Sequence, residues 1–470
     1  MIDARDFSPD GSHAGTENDP WPGQAIVDAL KSLPQPGGGT VRVANGIWLF
    51  DKAHTINGVN DFVLQGESHD AELRFVGGEG GGQLWFGSDQ GGTAGFTNGI
   101  FENLLINANG LDKNDPRSPS ALRLSTGRSS EFRNNKMLGH SNGSIPAMFW
   151  EGGQYVKIHH NHFDGRQPED GGGTGGGGDS VCQVQSGPMG ADGHVGRDFE
   201  ISDNTFLGAM PVVIGVDKIK VLRNHCESHY GFLAIAACGT WNTRCTDTII
   251  DSNTVSAEGA NGVMISGISN DPGGMSIIDG FQITNNTLIG TFASICCQGW
   301  LNDDQWNDGV TLVGSEKYNV LIKGNKLHSA WGASDINVRG GDGKVDGVLI
   351  TENTLTNDAG KPNTLTTDDH SYNVQCYGNN GLDDTTEPEP IPPEPEPPMK
   401  NTVTITVTAD PPGSVNFVTD PAMSRSATPK GKPPKPPQPP AQVPTVTIAV
   451  DVEPPDSSNI VFAGSVTRRE

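Results

Sequence analysis

The chain has 470 residues, with Lys and Arg numbering 31 against 56 Asp and Glu, for a formal net charge of -25. That balance argues against nucleic acid and anionic membranes as partners, since both are bound through basic patches. No apolar run approaches the roughly 20 residues of a membrane span, so membrane insertion is not expected. With 63 Gly and 33 Pro, the composition suits one elongated body of tight corners joined to stiff spacers.

In chain order, Met1-Ile-Asp-Ala-Arg-Asp6 has no apolar core of a signal peptide. Residues 1–60 read as a lead-in and cap, with Gln24 to Lys31 as a short amphipathic helix covering an open sheet end. From 61 to 382 one phrase recurs eight times, as in Phe199-Glu-Ile201-Ser-Asp-Asn204-Thr-Phe206 and Val320-Leu-Ile322-Lys-Gly-Asn325-Lys-Leu327. Its Asn falls at Asn135, Asn161, Asn204, Asn224, Asn253, Asn286, Asn325 and Asn353, spaced by 26, 43, 20, 29, 33, 39 and 28. Two copies are imperfect, with Ser130 and Thr248 in the leading apolar slot. Such spacing belongs to stacked-coil architectures. Period-two apolar alternation on both sides of the Asn predicts strand, sharp corner, strand. Asn tolerates the left-handed backbone such a corner needs, and stacked amides can bond from coil to coil.

Composition changes abruptly at 383–400, an acidic Pro-rich linker whose Glu-Pro run favours an extended spacer. Residues 401–421 and 445–470 then repeat one pattern, Thr402-Val-Thr-Ile-Thr-Val against Thr445-Val-Thr-Ile-Ala-Val, each followed by Pro-Pro and a second apolar run, Val415 to Val418 and Ile460 to Ala463. Each repeat is expected to be a β-hairpin, and 422–444 is a basic Pro-rich linker between them. Isolated hairpins of this size are marginal, so they should pair with each other, with other subunits or with a sheet edge. Seven cysteines without a Cys-x-x-Cys pair point to buried thiols. Cys238 with Cys245 is the one pair to check for a disulfide.

The repeat, together with Asp6-Phe7-Ser8-Pro9-Asp10-Gly11, Asn18-Asp19-Pro20, Gly37-Gly38-Gly39-Thr40-Val41 and Asn45-Gly46, resembles the right-handed parallel β-helix, pectate-lyase-like superfamily over roughly residues 1 to 380. Ser8-Pro9 stands where that pattern has Gly-Ala, and Ala44-Asn45 where it has Pro. The resemblance implies an all-β fold: a right-handed single-stranded parallel β-helix with an N-terminal cap helix. Lyases, hydrolases, epimerases and phage tailspikes share this beginning. The Asn-Thr-Asp, Asp-Asp and Gly-His-Gly phrases of polygalacturonases are absent, as is the calcium-loop repeat that ends secreted alginate epimerases, so no catalytic residue transfers.

The groove of that fold lies on the sheet preceding the Asn phrase. Its expected strands are Leu122 to Ser125, Val181 to Ser186, Phe232 to Ala237, Gly262 to Gly267, Ser294 to Trp300, Asp335 to Arg339 and Ser371 to Tyr377. Alternation turns Leu122, Leu124, Ile336 and Val338 inward and Arg123, Gln298, Trp300, Asp335, Asn337, Arg339, Asn373 and Gln375 outward. Planar amides beside an exposed Trp suit a sugar's hydroxyls and its apolar ring face. Trp300, Trp306, Gln298, Asn337 and Arg123 are the expected substrate-binding residues. Asp303 or Asp304 with Asp335, aided by Arg339, is the candidate catalytic set, because coils at ~4.8 Å bring carboxylates near glycosidase separations. The competing assignment makes the Asp-rich loop a solvated turn or a calcium site. His159-His160-x-His162 straddles an Asn corner, so metal binding is not expected there, and no cofactor is required.

Three functions compete. The first is a phage tailspike or tail-fibre-type protein on the virion tail that binds, and in some forms depolymerises, a bacterial surface polysaccharide. In that case the C-terminal hairpins assemble a homotrimer or contact other virion proteins. The second is a bacterial polysaccharide lyase, glycoside hydrolase or epimerase, secreted without a classical signal peptide. The third is a non-catalytic structural or adhesive β-helix.

Overall fold

The structure is a computed structural model that describes residues 1–8, 13–87, 95–112, 119–139, 146–166, 180–185, 196–208, 210–228, 233–238, 244–257, 263–268, 277–290, 295–299, 316–330, 332–340, 344–384, 401–408 and 445–452. They fall into two units, Met1–Glu387 and Pro388–Glu470.

In the first unit the coils visit three sheets in turn, most giving one strand to each, while Arg244–Thr246 with Ile249–Asp251 and Ile277–Asp279 with Gln282–Thr284 give two to the first. Glu131–Arg133 joins the first sheet, Lys136–Leu138 the second and Met148–Glu151 the third, after which Gln154–His159 returns to the first. Strands pair in parallel with those of adjacent coils, giving sheets of 15, 12 and 11 described strands. This unit is a right-handed parallel β-helix. The period-two pattern becomes files of like side chains along the axis. One file runs Phe132, Ile158, Ile201, Val221, Ile250, Ile283, Ile322, Ile350 and Cys376, each fully buried. Toward the N-terminus such files are aromatic, with Phe163 stacked on Phe206 at 4.8 Å between centroids. Toward the C-terminus aliphatic residues replace them.

All eight expected Asn residues stand at equivalent corners between the first and second sheets, buried to 3% exposure or less. They form a continuous ladder. Asn204 donates its backbone N–H and one Nδ2 hydrogen to Asn224 Oδ1, both at 3.0 Å, and Nδ2 also donates to Ile158 O at 2.8 Å. The same pattern repeats from Asn161 to Asn353 and ends on a ninth member, Asn379. The explanation of the corner needs correcting, however, because the left-handed residue is the one before each Asn. His160, Asp203, Arg223, Ser252, Asn285 and Glu352 have φ of 53 to 59°, and Gly324 stands in the same slot at 68°. The turn thus takes its left-handed step at an exposed or half-buried position, leaving the Asn free to saturate two buried backbone groups, one N–H and one carbonyl, besides the next Asn side chain. Ser130, in an imperfect copy, is also satisfied: its hydroxyl donates to Arg128 O and accepts from Gly99 N.

At the N-terminal end Gly23–Lys31 is the expected cap helix, burying Ala25, Ile26, Val27, Ala29 and Leu30. Coiling starts within the segment assigned to the cap, since Gly39–Val43, Gly46–Phe50 and Ala53–Ile56 already make one strand for each sheet. At the other end Ser371–Tyr377, expected in the groove sheet, instead pairs with Lys344–Thr351 in the first sheet. The groove-sheet strand of that coil is Thr364–Thr367. The reason is that Val374-Gln-Cys376-Tyr-Gly-Asn379 is itself a copy of the Asn phrase. Asn373 and Gln375 therefore leave the groove.

The second unit, described by itself, is an antiparallel pair. Asn401–Thr408 lies against Thr445–Val452 with Ile405 opposite Ile448. The leading strands of the two repeats thus pair with one another. The second apolar runs, at 415–418 and 460–463, lie outside the described residues, as do the two Pro-rich linkers apart from Asp383 and Asp384.

Candidate functional site

The third sheet carries the outward files expected of a groove. Its strands include Ala53–Ile56, Gln83–Phe86, Leu122–Ser125, Met148–Glu151, Ser180–Gln185, Met210–Ile214, Ile295–Gly299 and Asp335–Arg339. Leu122, Leu124, Ile336 and Val338 point into the core, at 1% exposure or less. Register places Thr55, Trp85, Arg123, Phe149, Gln183 and Val212 in one file, which continues to position 337. A second file two residues on contains Ser125, Glu151, Gln185, Gln298 and Arg339. Arg123 and position 337 thus share the first row, and positions 298 and 339 the second.

In the N-terminal half the first file is built from alternating rings and a cation. The Arg123 guanidinium carbon lies 4.2 Å from the Trp85 ring centroid and 5.6 Å from that of Phe149. Arg123 Nη2 donates to Glu151 Oε2 at 2.8 Å. Trp85 Nε1 donates to Ser125 Oγ at 3.0 Å, fixing the indole, and Gln183 Nε2 donates to Gln185 Oε1 at 2.8 Å. Trp85, Arg123, Phe149 and Gln183 are all half-buried, which is what flat residues in a file on a sheet surface become. A guanidinium between ring faces is attractive, and its ion pair with Glu151 holds the plane in place.

In the C-terminal half Asp335, Asn337 and Arg339 alternate outward as expected. Asp335 accepts from Thr364 Oγ1 at 2.5 Å. Arg339 and Arg123 each keep a buried Nε–H that has no partner among the described residues. Arg123 does not join this group: seven strand steps separate the two strands, or ~34 Å at ~4.8 Å per step. Trp300, Asp303, Asp304 and Trp306 lie outside the described residues. Gln298 is placed only by its backbone. Sequence reasoning missed Trp85, Phe149 and Glu151. Leu84-Trp85-Phe86 and Met148-Phe149-Trp150 are unbroken apolar runs, so alternation could not tell which ring faces out; for Phe149 its place one strand before the Asn161 phrase was the usable signal, whereas the coil of Trp85 has Leu104 in the Asn slot.

His159 and His160 touch through their Nδ1 atoms at 2.8 Å, while His162 lies on the next sheet. Among the described residues no group of three or more His, Cys, Asp or Glu side chains is placed to hold a metal ion. Cys182, Cys226, Cys245 and Cys376 are buried. Cys245, considered for a disulfide with Cys238, instead donates to Val216 O at 2.9 Å, and burial pushes its pKa up to about 12. No described helix is long and apolar enough to cross a membrane.

No protein-family model matches the chain, and no curated protein matches it. Solved structures share the fold at low identity. The surface adhesin PfbA of Streptococcus pneumoniae is 13% identical with a TM-score of 0.44, the match covering 81% of this chain and 93% of that one. A PL6 family polysaccharide lyase from Pseudopedobacter saltans is 14% identical with a TM-score of 0.46, covering 77% and 92%. A hyperthermoactive exopolygalacturonase from Thermotoga maritima is 12% identical with a TM-score of 0.43, covering 81% and 91%.

Proposed function

We propose that the outer face of the third sheet binds an extended polysaccharide lying along the helix axis. The observation that carries this reading is the file Trp85, Arg123, Phe149, Gln183, which offers ring, planar donor, ring and amide at successive coils ~4.8 Å apart. Aromatic rings accept the apolar face of a pyranose, and guanidinium and amide groups meet its hydroxyls in fixed planes. A file that repeats along an axis suits a polymer better than a compact ligand. The finer reading is a tailspike-type or tail-fibre-type protein of a virion tail, directed at a bacterial surface polysaccharide. Its support is the pairing of an elongated solenoid with a second unit of repeated β-branched strands on Pro-rich linkers, suited to assembly as a homotrimer or with other virion proteins.

Binding is the part of this reading supported by the described side chains. Glu151 and Asp335, the strand carboxylates of the face among the described residues, are six strand steps or ~29 Å apart, whereas glycosidase pairs lie within ~9.5 Å. They are therefore not an acid and base acting on one bond, and the candidate pair remains Asp335 with Asp303 or Asp304, which lie outside the described residues. A glycan array with the full chain and with Trp85→Ala tests the reading. The expected outcome is binding to repeat-unit polysaccharides that is lost or sharply weakened in the variant at unchanged melting temperature. Undiminished binding by the variant refutes it.

A further inference from the structure

A separate cluster lies on the outer face of the first sheet in the last coils. A left-handed step at Asn319, Gly347 and Asn373 bends successive strands there, and register places Tyr318, Asp346 and Tyr372 in one outward file just before it. Lys344 Nζ sits 5.7 Å from the Tyr318 ring centroid and 5.4 Å from that of Tyr372, and 2.7 Å from Asp346 Oδ2. Asn373 Nδ2 donates to Asp346 Oδ1 at 2.6 Å. Lys344, Asp346, Tyr372 and Asn373 line a surface depression of about 510 Å³. Tyr372 is 44% exposed, which is unusual for a large ring among the described residues.

From this geometry we infer a second carbohydrate site, taking one neutral pyranose unit stacked on Tyr372 with its hydroxyls bonded to Asp346 and Asn373. Three features select that ligand class. Tyr372 stays 44% exposed even with Lys344 Nζ over its ring, which leaves ring area on which a sugar can stack. The ammonium and the carboxylate cancel, which favours a neutral partner over a strongly charged one. Asp346 uses two acceptor positions, on Lys344 and Asn373, of the roughly four a carboxylate has, and the hydrogen bond from Lys344, with that from Asn373, holds its pKa below the usual range and keeps it an acceptor. The site is on a different sheet from the ring file around Arg123, so the two can be occupied independently.

The test is saturation-transfer NMR of the full chain with methyl glucoside, methyl galactoside and methyl mannoside as probes, on the parent, Tyr372→Ala, Tyr372→Phe and Trp85→Ala. The inference predicts transfer from at least one glycoside in the parent. That signal should persist in Tyr372→Phe and Trp85→Ala and fall about five-fold or more in Tyr372→Ala, since the ring contact alone is removed. Equal signal in Tyr372→Ala, loss confined to Trp85→Ala, or no transfer in the parent overturns it. Loss confined to Trp85→Ala leaves the third-sheet reading standing, and persistence in Trp85→Ala with loss in Tyr372→Ala leaves this inference standing without it. Because Tyr372 is exposed, the Ala variant is expected to melt with the parent.

Discussion

Replacing Asn224 with Ala in the middle of the ladder removes a side chain with several buried partners. Its Oδ1 accepts from Asn204 N and Nδ2, both at 3.0 Å, and its Nδ2 donates to Ile201 O at 2.9 Å and to Asn253 Oδ1 at 3.0 Å. Alanine leaves two buried donors of Asn204 and the Ile201 carbonyl without that partner, in a corner 1% exposed. An orphaned buried group costs ~1–3 kcal/mol, so three of them predict a loss of ~3–6 kcal/mol after partial relaxation. Thr254→Ala is the control: its side chain is exposed beside the same ladder, and it should change stability by no more than ~0.5 kcal/mol. Guanidinium denaturation of the parent and both variants, followed by far-UV circular dichroism, gives the comparison. A loss for Asn224→Ala below about 1 kcal/mol, or one equal to that of Thr254→Ala, would show that the ladder is decoration on a core held by its apolar files.

Two further outcomes follow from the geometry. Burial lowers the pKa of His54, His159 and His162, so the unfolded chain takes up protons first. Stability should therefore be full above the unfolded value of ~6.5 and fall as pH drops through the lower folded values. Denaturation midpoints between pH 7.5 and 5 check this, with a flatter profile expected for His162→Gln. For assembly, light scattering on the full chain and on a truncation ending at Asp383 should show an oligomer that the truncation abolishes, whereas a monomer in both cases refutes the trimer.

The fold was legible because its rule is local and repeated: the Asn phrase marks the corners from Asn135 onward, and inward slots such as Ile201 and Ile322 alternate with Ser130 and Thr248 as the polar exceptions. The left-handed step was misplaced because His160, Arg223 and Glu352 are not residues whose chemistry announces positive φ, and only the stacked geometry imposes it. The strand Ser371–Tyr377 was misassigned because its apolar slots are Val374 and Cys376, and the Cys obscured a ninth copy of the phrase. The groove was half legible. Asp335, Asn337 and Arg339 alternate with clear apolar partners, whereas Trp85 and Phe149 sit within apolar runs and can be told from core rings only by register with Arg123. Which outward residues neighbour one another along the axis depends on strand order, so the distance between Arg123 and Asp335 could not be read from the chain.

The claim that a polymer lies along the third sheet is tested most directly by hydrogen exchange on the full chain, with and without the polysaccharide that binds best on the array. The account predicts slowed exchange concentrated in Gln83–Phe86, Leu122–Ser125, Met148–Glu151 and Ser180–Gln185, with little change in second-sheet strands of the same coils such as Lys136–Leu138 and His162–Asp164. Protection confined to the second sheet, or absent from all four third-sheet strands while the polymer is bound, would contradict it.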